Sequence, residues 1–209
     1  FIRGQESDNY RGGTVDSIRD RMLRHVREPV DISRHGTLIQ YLLNMRDRKS
    51  EEDYLCAQVM NRACRWLDDH VDASPFMLWV EAFDPHEPWD PPASYADAYC
   101  PNYDGKDFIM PGAGHERGPM TDAEKERTKA LYFGEVTFLD SWVGKLLDKI
   151  DSLGLRDDTI VCVLSDHGTQ ILDKGRFGKG AGQMHPFNTR MVWHMRHPDG
   201  GAGTHITPF

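Results

Sequence analysis

An unbroken apolar run, Ile160 to Leu164, constrains the fold of this chain most, because a polar motif follows it directly. Its residues are mostly β-branched, which is typical of a strand buried on both faces in a parallel sheet. Ser165-Asp166-His167-Gly168 then stands where that strand ends. Open α/β sheets bind ligands at the carboxyl ends of their strands. The sequence therefore predicts a buried parallel strand that brings a carboxylate and an imidazole to a ligand site.

Asp166 and His167 are candidate metal ligands. In a continuing strand their side chains would face opposite ways, but Gly168 permits a turn that lets both reach one ion. Oxygen and imidazole ligands suit a hard to borderline divalent ion. Lys179, in a glycine-rich cationic segment, can neutralise an anionic substrate oxygen. The alternative is that Asp166 caps a following helix, that His167 is an ordinary loop histidine and that Lys179 is solvated. The strand, the motif and Gly178-Lys179-Gly180 occurring together favour the functional interpretation.

A second candidate strand, Phe76 to Phe83, is followed by Asp84-Pro85-His86-Glu87-Pro88-Trp89. His86 stands just past this strand, between two prolines that stiffen the backbone. It is a candidate substrate contact, and the alternative is a loop histidine in a proline-rich turn. Trp89 is predicted either to line the substrate pocket or to act as a hydrophobic plug.

Helices are predicted for Thr37 to Asn44, for Ser50 to His70 and for the segment that begins at Thr121. Ser50 precedes a run of acids that suits a helix start, and Thr121 to Glu124 forms a capping box. Apolar residues then recur at helical spacing up to Ile150. Residues 91–120 are rich in Pro, Gly, Asp and Tyr and lack periodicity. A loop of that length is usually functional, so we expect it to cover the pocket.

Composition narrows the class of protein. The chain has 209 residues, 39% of them hydrophobic and 28% charged, which fits one ordinary globular domain or part of one. The net charge of −8 argues against general nucleic-acid binding. An anionic substrate must therefore be attracted by local cations and metal. No apolar run approaches the length of a membrane span. The oligomeric state is left open.

The cysteines point to no metal site. The four cysteines form no Cys-x-x-Cys pair and show no zinc spacing. A Cys64–Cys100 disulfide is left open, and Cys162, inside the apolar run, is expected to be an inert core thiol. This usage favours a reducing compartment, with a periplasmic or secreted location left open.

Leu164-Ser165-Asp166-His167-Gly168, followed by Phe177-Gly178-Lys179, resembles the metal-and-lysine motif of the sulfatases and phosphonate monoester hydrolases, members of the alkaline phosphatase superfamily. The resemblance covers roughly Phe76 to Pro198 and includes a His-x-Pro at His86. It implies that Asp166 and His167 ligate Ca²⁺ or Mn²⁺, and that His86 and Lys179 contact the substrate anion and assist catalysis. It also implies a three-layer α/β sandwich with a mostly parallel sheet flanked by helices, of which this chain holds only part.

The nucleophile of that family is missing from the sequence. The family uses a Cys or Ser in Cys/Ser-x-Pro-x-Arg, converted to formylglycine, and no such motif occurs here. The resemblance therefore implies that residues 1–209 are a single partial catalytic domain, that the formylglycine lies outside this chain, and that the chain alone does not turn over. The predicted function is metal-dependent hydrolysis of a small-molecule or glycan sulfate ester. The alternatives are a phosphonate monoester or phosphodiester hydrolase on the same scaffold, and a non-catalytic binding protein derived from a sulfatase.

Overall fold

The computed structural model describes residues 12–27, 35–111, 119–180, 184–200 and 203, with the backbone of residues 2–3. The chain divides into two compact units, Phe1–Leu147 and Asp148–Phe209. Each unit is described by itself, and the single catalytic domain expected for residues 1–209 stays a prediction.

Helices dominate the first unit. They are α1 (Arg19–Met22), α2 (Gly36–Asn44), α3 (Leu55–His70), α4 (Ala93–Asp97) and α5 (Asp122–Ser152), which continues past the unit boundary. The predicted helix from Ser50 begins instead with a 3-10 turn at Glu51–Asp53, and α3 follows it. The capping box at Thr121 is confirmed, because the Thr121 N–H donates to Oε2 of Glu124 at 2.7 Å. No helix in the described ranges is both long enough and apolar enough to cross a membrane.

The core of this unit lies between α3 and α5. Cys56, Ala57 and Met60 of α3 pack with Phe138 and Trp142 of α5, and all five side chains are buried. These residues recur at helical spacing on each helix, so one face of each is removed from water. Val80 and Ala82 pack against the same cluster, which places the segment before His86 on the core.

The predicted strand Phe76 to Phe83 is much shorter in the structure. Only Val80–Glu81 forms a strand, β2, which pairs in parallel with β1 (Ile2–Arg3), Ile2 opposite Val80. Met77 and Trp79 are exposed, so the prediction of a continuous buried strand was wrong. In the described residues the pairing between β1 and β2 is only two residues long. It therefore does not bury the other residues between Phe76 and Phe83.

Among its described residues, the second unit contains two antiparallel strand pairs and one short helix after the end of α5. β3 (Val161–Leu164) pairs with β6 (Trp193–Arg196), with Val161 opposite Arg196 and Leu164 opposite Trp193. β4 (Gln170–Ile171) pairs with β5 (Phe177–Gly178), and α6 (Pro186–Thr189) lies between β5 and β6 in the sequence.

The predicted strand at Ile160 to Leu164 exists as β3, but its burial was predicted wrongly. Leu164 is 54% exposed, and Cys162 is exposed rather than a core thiol. A strand buried in a parallel sheet has neighbours on both edges and layers on both faces. In the described residues β3 is hydrogen-bonded to β6 alone, and that pairing is antiparallel.

Most of the predicted loop 91–120 is ordered against α5. It contains α4, and Phe108 and Ile109 are buried. Arg127 of α5 forms ion pairs with Asp97 at 2.7 Å and with Asp107 at 2.6 Å. Residues 112–118 lie outside the described residues, and the covering role of the loop stays a prediction.

Candidate functional site

The Asp166-His167-Gly168 segment is a tight turn held against α6. The Ser165 N–H donates to the Val192 carbonyl at 3.1 Å, so the turn begins directly where the β3–β6 ladder ends. The Gly168 N–H donates to the Asn188 carbonyl at 2.9 Å. A Cβ atom at Gly168 would lie 2.0 Å from the Phe187 carbonyl oxygen. Glycine is therefore required here by the close approach of backbone from α6.

This turn brings the two predicted metal ligands together. Nδ1 of His167 lies 2.8 Å from the Gly168 carbonyl oxygen. Because a carbonyl only accepts, Nδ1 carries the proton and Nε2 has its lone pair available. That Nε2 is 3.7 Å from Oδ2 of Asp166, and the side chains are 42% and 87% exposed. An imidazole nitrogen and a carboxylate oxygen thus stand side by side at the surface.

The pair fits a divalent ion as part of a coordination shell. A nitrogen and an oxygen ligand suit Mn²⁺, and the oxygen suits Ca²⁺. The hydrogen bond from Nδ1 to Gly168 is the kind of second contact that fixes the tautomer of a ligating histidine. Within the described ranges, no group of three or more His, Cys, Asp or Glu side chains is placed to hold a metal. The assignment of Asp166 and His167 as metal ligands therefore stays a prediction, and a complete shell would need further ligands.

Lys179 is returned toward this turn by the β4–β5 hairpin. Gln170 pairs with Gly178, so continuing the antiparallel register places Lys179 opposite Thr169. Leu172 and Gly175 adopt positive φ angles of 79° and 73° where the hairpin reverses. The sequence prediction that the glycine-rich segment turns back toward the motif agrees with this register.

His86, in the first unit, is fixed by contacts to its own turn. Its backbone N–H donates to the Phe83 carbonyl at 3.0 Å, and its ring stacks on Phe83 with centroids 4.3 Å apart. Nδ1–H donates to the Glu87 carbonyl at 2.6 Å, and the Glu87 carboxylate is 3.3 Å from the same nitrogen. Nε2 is then the ring nitrogen whose lone pair is available as an acceptor.

Trp89 is fully buried in this structure, and whether it also contacts substrate stays a prediction. The indole N–H donates to the Pro85 carbonyl at 3.1 Å, and the backbone N–H donates to Ile109 at 2.7 Å. Its ring meets the edge of Tyr132, with centroids 5.1 Å apart. Trp89 therefore fixes the turn that carries His86.

A buried polar cluster behind His86 was missed by the sequence analysis. Arg48 forms an ion pair with Asp90 and lies over the ring of Tyr54 at 4.1 Å. The Tyr41 hydroxyl donates to Asp90 at 3.0 Å, and burial raises the pKa of Tyr54 to about 12. These residues line one pocket together with Asp84, Glu135 and His86.

One signal in the sequence points to this cluster. Glu135 lies between Leu131 and Phe138 on the apolar stripe of α5, all three are buried, and Glu135 is 3% exposed. Burial, followed by a hydrogen bond with Asp84, raises the pKa of Glu135 well above its ordinary value. An acidic residue at an apolar position of an amphipathic helix is unusual. Glu135 therefore indicates, from the sequence alone, that polar groups are buried beside this helix.

Comparison with known proteins identifies the family. The Sulfatase family model matches residues 10–201, so the chain belongs to the sulfatase family. It is 25% identical over 190 residues to a choline-sulfatase of Rhizobium meliloti, covering 83% of this chain and 36% of that protein. It is 28% identical over 134 residues to an arylsulfatase of Clostridium perfringens, covering 58% and 28%. The chain thus spans about a third of the length of these relatives.

Solved structures with lower sequence identity share the fold of part of this chain. A phosphonate monoester hydrolase of Agrobacterium radiobacter matches with a TM-score of 0.57 and 19% identity, over 72% of this chain and 34% of that chain. The phosphonate monoester hydrolase SpPMH from Silicibacter pomeroyi gives a TM-score of 0.54 and 20% identity over the same shares. The chain therefore shares part of the fold of the alkaline-phosphatase-like hydrolases.

Proposed function

We propose that this chain carries part of the metal and substrate-anion site of a sulfatase that hydrolyses a small-molecule or glycan sulfate ester. The observation that supports the proposal most is the turn in which Nε2 of His167 and Oδ2 of Asp166 stand 3.7 Å apart, in a chain of the sulfatase family. The complete fold proposed is a three-layer sandwich with a mostly parallel sheet, of which this chain supplies part.

Asp166 and His167 would hold the divalent ion, Ca²⁺ or Mn²⁺. When bound, that ion polarises the sulfuryl oxygens. Lys179 would neutralise negative charge on the anion and stabilise the leaving oxygen as charge develops. His86, through Nε2, is proposed by family resemblance as a further catalytic contact to the anion, with Trp89 in a supporting position.

The nucleophile is proposed to lie outside this chain. The sequence contains no Cys/Ser-x-Pro-x-Arg, so no residue here can become the formylglycine of that family. Without a nucleophile the covalent route is closed, and we expect metal binding without turnover from the chain alone.

A phosphonate monoester or phosphodiester is the second candidate substrate class. The residues proposed here recognise a tetrahedral anion through a metal, a lysine and a histidine, and those groups serve a phosphoryl centre as well as a sulfuryl centre. The structural neighbours are named as phosphonate monoester hydrolases, which agrees with a shared scaffold.

Metal binding can be tested on the chain itself. We would titrate Mn²⁺ into protein labelled at its histidine rings and follow the paramagnetic broadening of each ring signal. His167 should broaden at lower Mn²⁺ than the exposed His197, Asp166→Asn should remove that selectivity, and the exposed control Asp157→Asn should retain it. Broadening of His167 no stronger than that of His197 would overturn the metal assignment.

The reaction is tested by sequencing the gene on both sides of this chain and assaying its complete product. We expect the nucleophile motif, hydrolysis of an aryl sulfate, and abolition of that hydrolysis by Asp166→Ala. Full activity in Asp166→Ala would overturn the proposed role of the metal turn. If the complete protein hydrolysed a phosphonate ester in preference to the aryl sulfate, the second substrate class would replace the first. The absence of the motif, with ligand binding alone, would identify a non-catalytic relative.

A further inference from the structure

The turn that carries His86 has an acidic residue at each end, and both acidic residues line one pocket. Asp90 follows the turn and is held by Arg48 and by the Tyr41 hydroxyl. Asp84 precedes the turn, and its carboxyl group lies with that of Glu135 in the pocket lining, where a hydrogen bond between them contributes to the raised pKa of Glu135. The carboxyl groups of Asp84 and Glu135 and the ring of His86 line the same pocket.

Two ionised carboxylates cannot make that contact. A carboxylate only accepts hydrogen bonds, so a bond between Asp84 and Glu135 requires a proton on one of them. Oε2 of Glu135 is buried and, within the described residues, has no hydrogen-bond partner. A proton on Glu135 removes a charge from this buried site and supplies a donor to Asp84. Two carboxyls that share a proton are a known solution to close acidic pairs.

The surrounding charges also favour a neutral Glu135. Arg48 is the one arginine or lysine among the described residues that line the pocket, and it is already paired with Asp90. Burial is the largest cause of the raised pKa of Glu135. Asp84 and Asp90 raise this pKa further, whereas Arg48 lowers it. The ionisable groups that face Glu135 from the elements around it are Tyr41, Arg48, Tyr54, Cys56, Asp84, His86 and Asp90.

We propose that Glu135 is a positioning residue for His86: it donates a proton to Asp84, and this hydrogen bond fixes the chain where the His86 turn begins. Loss of the proton places two carboxylates against each other and releases that end of the turn. That His86 contacts the substrate rests on the proposed function, whereas the carboxyl pair and its effect on the His86 ring do not.

Infrared spectroscopy tests the shared proton, and two variants test whether it resides on Glu135. The wild-type protein at pH 7 should show the C=O stretch of a protonated carboxylic acid that resists exchange with solvent. Glu135→Gln should lose this band. Glu126→Gln is the matched control, because Glu126 lies on the same helix at the surface and pairs with Lys129 at 2.8 Å, and it should retain the band. Absence of the band in the wild type, or its survival in Glu135→Gln, would overturn the shared proton.

The ring signals of His86 test the positioning role. Glu135→Gln keeps a donor for Asp84 that cannot titrate, so the His86 signals should match the wild type at low pH and lose only the displacement that loss of the Glu135 proton causes in the wild type. Glu135→Leu removes the donor, so the signals should shift or broaden at every pH. Unchanged His86 signals in Glu135→Leu would overturn the positioning role even if the acid band is present. None of these measurements uses turnover or Mn²⁺, so failure of the proposed function would be seen separately, in the metal titration.

Discussion

The ion pair between Arg48 and Asp90 gives the sharpest prediction about stability. The two side chains are 10% and 21% exposed, so both charges are largely removed from water. Arg48→Met preserves most of the apolar stem but leaves the Asp90 carboxylate with the Tyr41 hydroxyl as its neutral donor. Breaking a buried ion pair by removing one partner costs about 3–5 kcal/mol. We expect about 3 kcal/mol here, since Asp90 keeps some contact with solvent and with Tyr41.

Urea unfolding, followed by tryptophan fluorescence, measures this cost, because Trp89 is buried in the same turn. For a protein of this size, 3 kcal/mol corresponds to a fall in Tm of about 6–12 °C. Arg48→Met/Asp90→Asn removes the charge left behind, so it should be about 1–2 kcal/mol more stable than Arg48→Met alone. Arg62→Met, at an exposed position of α3, should change stability by less than about 0.5 kcal/mol.

The reasoning is refuted if Arg48→Met costs less than about 1 kcal/mol. It is also refuted if the double variant is as unstable as the single variant. Either result would mean that the Asp90 carboxylate is well solvated and that the pair contributes little more than a surface salt bridge.

Three further predictions concern single positions. Gly168→Ala places a Cβ 2.0 Å from a backbone carbonyl oxygen, so it should cost about 1–3 kcal/mol of stability in urea unfolding and weaken the Mn²⁺ broadening of His167. Gly144→Ala is the control, because it lies in open space on α5 and should gain about 0.5–1 kcal/mol. Equal effects of the two substitutions on stability would contradict this prediction. Because the pKa of Glu135 is raised in the folded state, the folded protein keeps a proton that the unfolded chain loses. Stability should therefore fall as pH rises from about 4.3 through the raised pKa, by at most about 1.4 kcal/mol per pH unit, and a pH series of unfolding curves should show this slope in the wild type and not in Glu135→Gln. Trp89→Phe removes the donor to the Pro85 carbonyl and should cost about 1–3 kcal/mol in the same assay; a loss below about 0.5 kcal/mol would show that this hydrogen bond does not hold the turn.

The sequence predicts the parts of the fold that depend on local chemistry. Residues a few positions apart determine the predicted helix start at Ser50 and the predicted capping box at Thr121, and the structure contains both. The hairpin that returns Lys179 is likewise local, since glycine allows its reversal at Gly175 and the partner strands are close in sequence. Asp166 and His167 could be proposed together because they are adjacent in the sequence.

The errors arose where a property depends on distant residues. The run at Ile160 to Leu164 predicts a strand correctly, but its partner, direction and burial are decided by residues far along the chain, and the partner seen is β6. Glu135 could be assigned to the apolar stripe of a helix, but its protonation depends on Asp84, which the fold brings to it. The Arg48–Asp90 pair has the same origin.

The predicted site residues differ in how the described chain supports them, and this difference bears on function. His86 is held by Phe83 and Glu87 and stands on a turn fixed by Trp89, Asp84 and Asp90, so the position of its ring is determined before any ligand binds. Asp166 is 87% exposed and contacts mainly its own turn. A binding group that is preorganised loses little on binding, whereas an exposed ligand must be ordered by the ion itself. Under the proposed function, anion recognition by His86 would therefore be built into the folded structure, while an ion at Asp166 and His167 would need further ligands to order that turn.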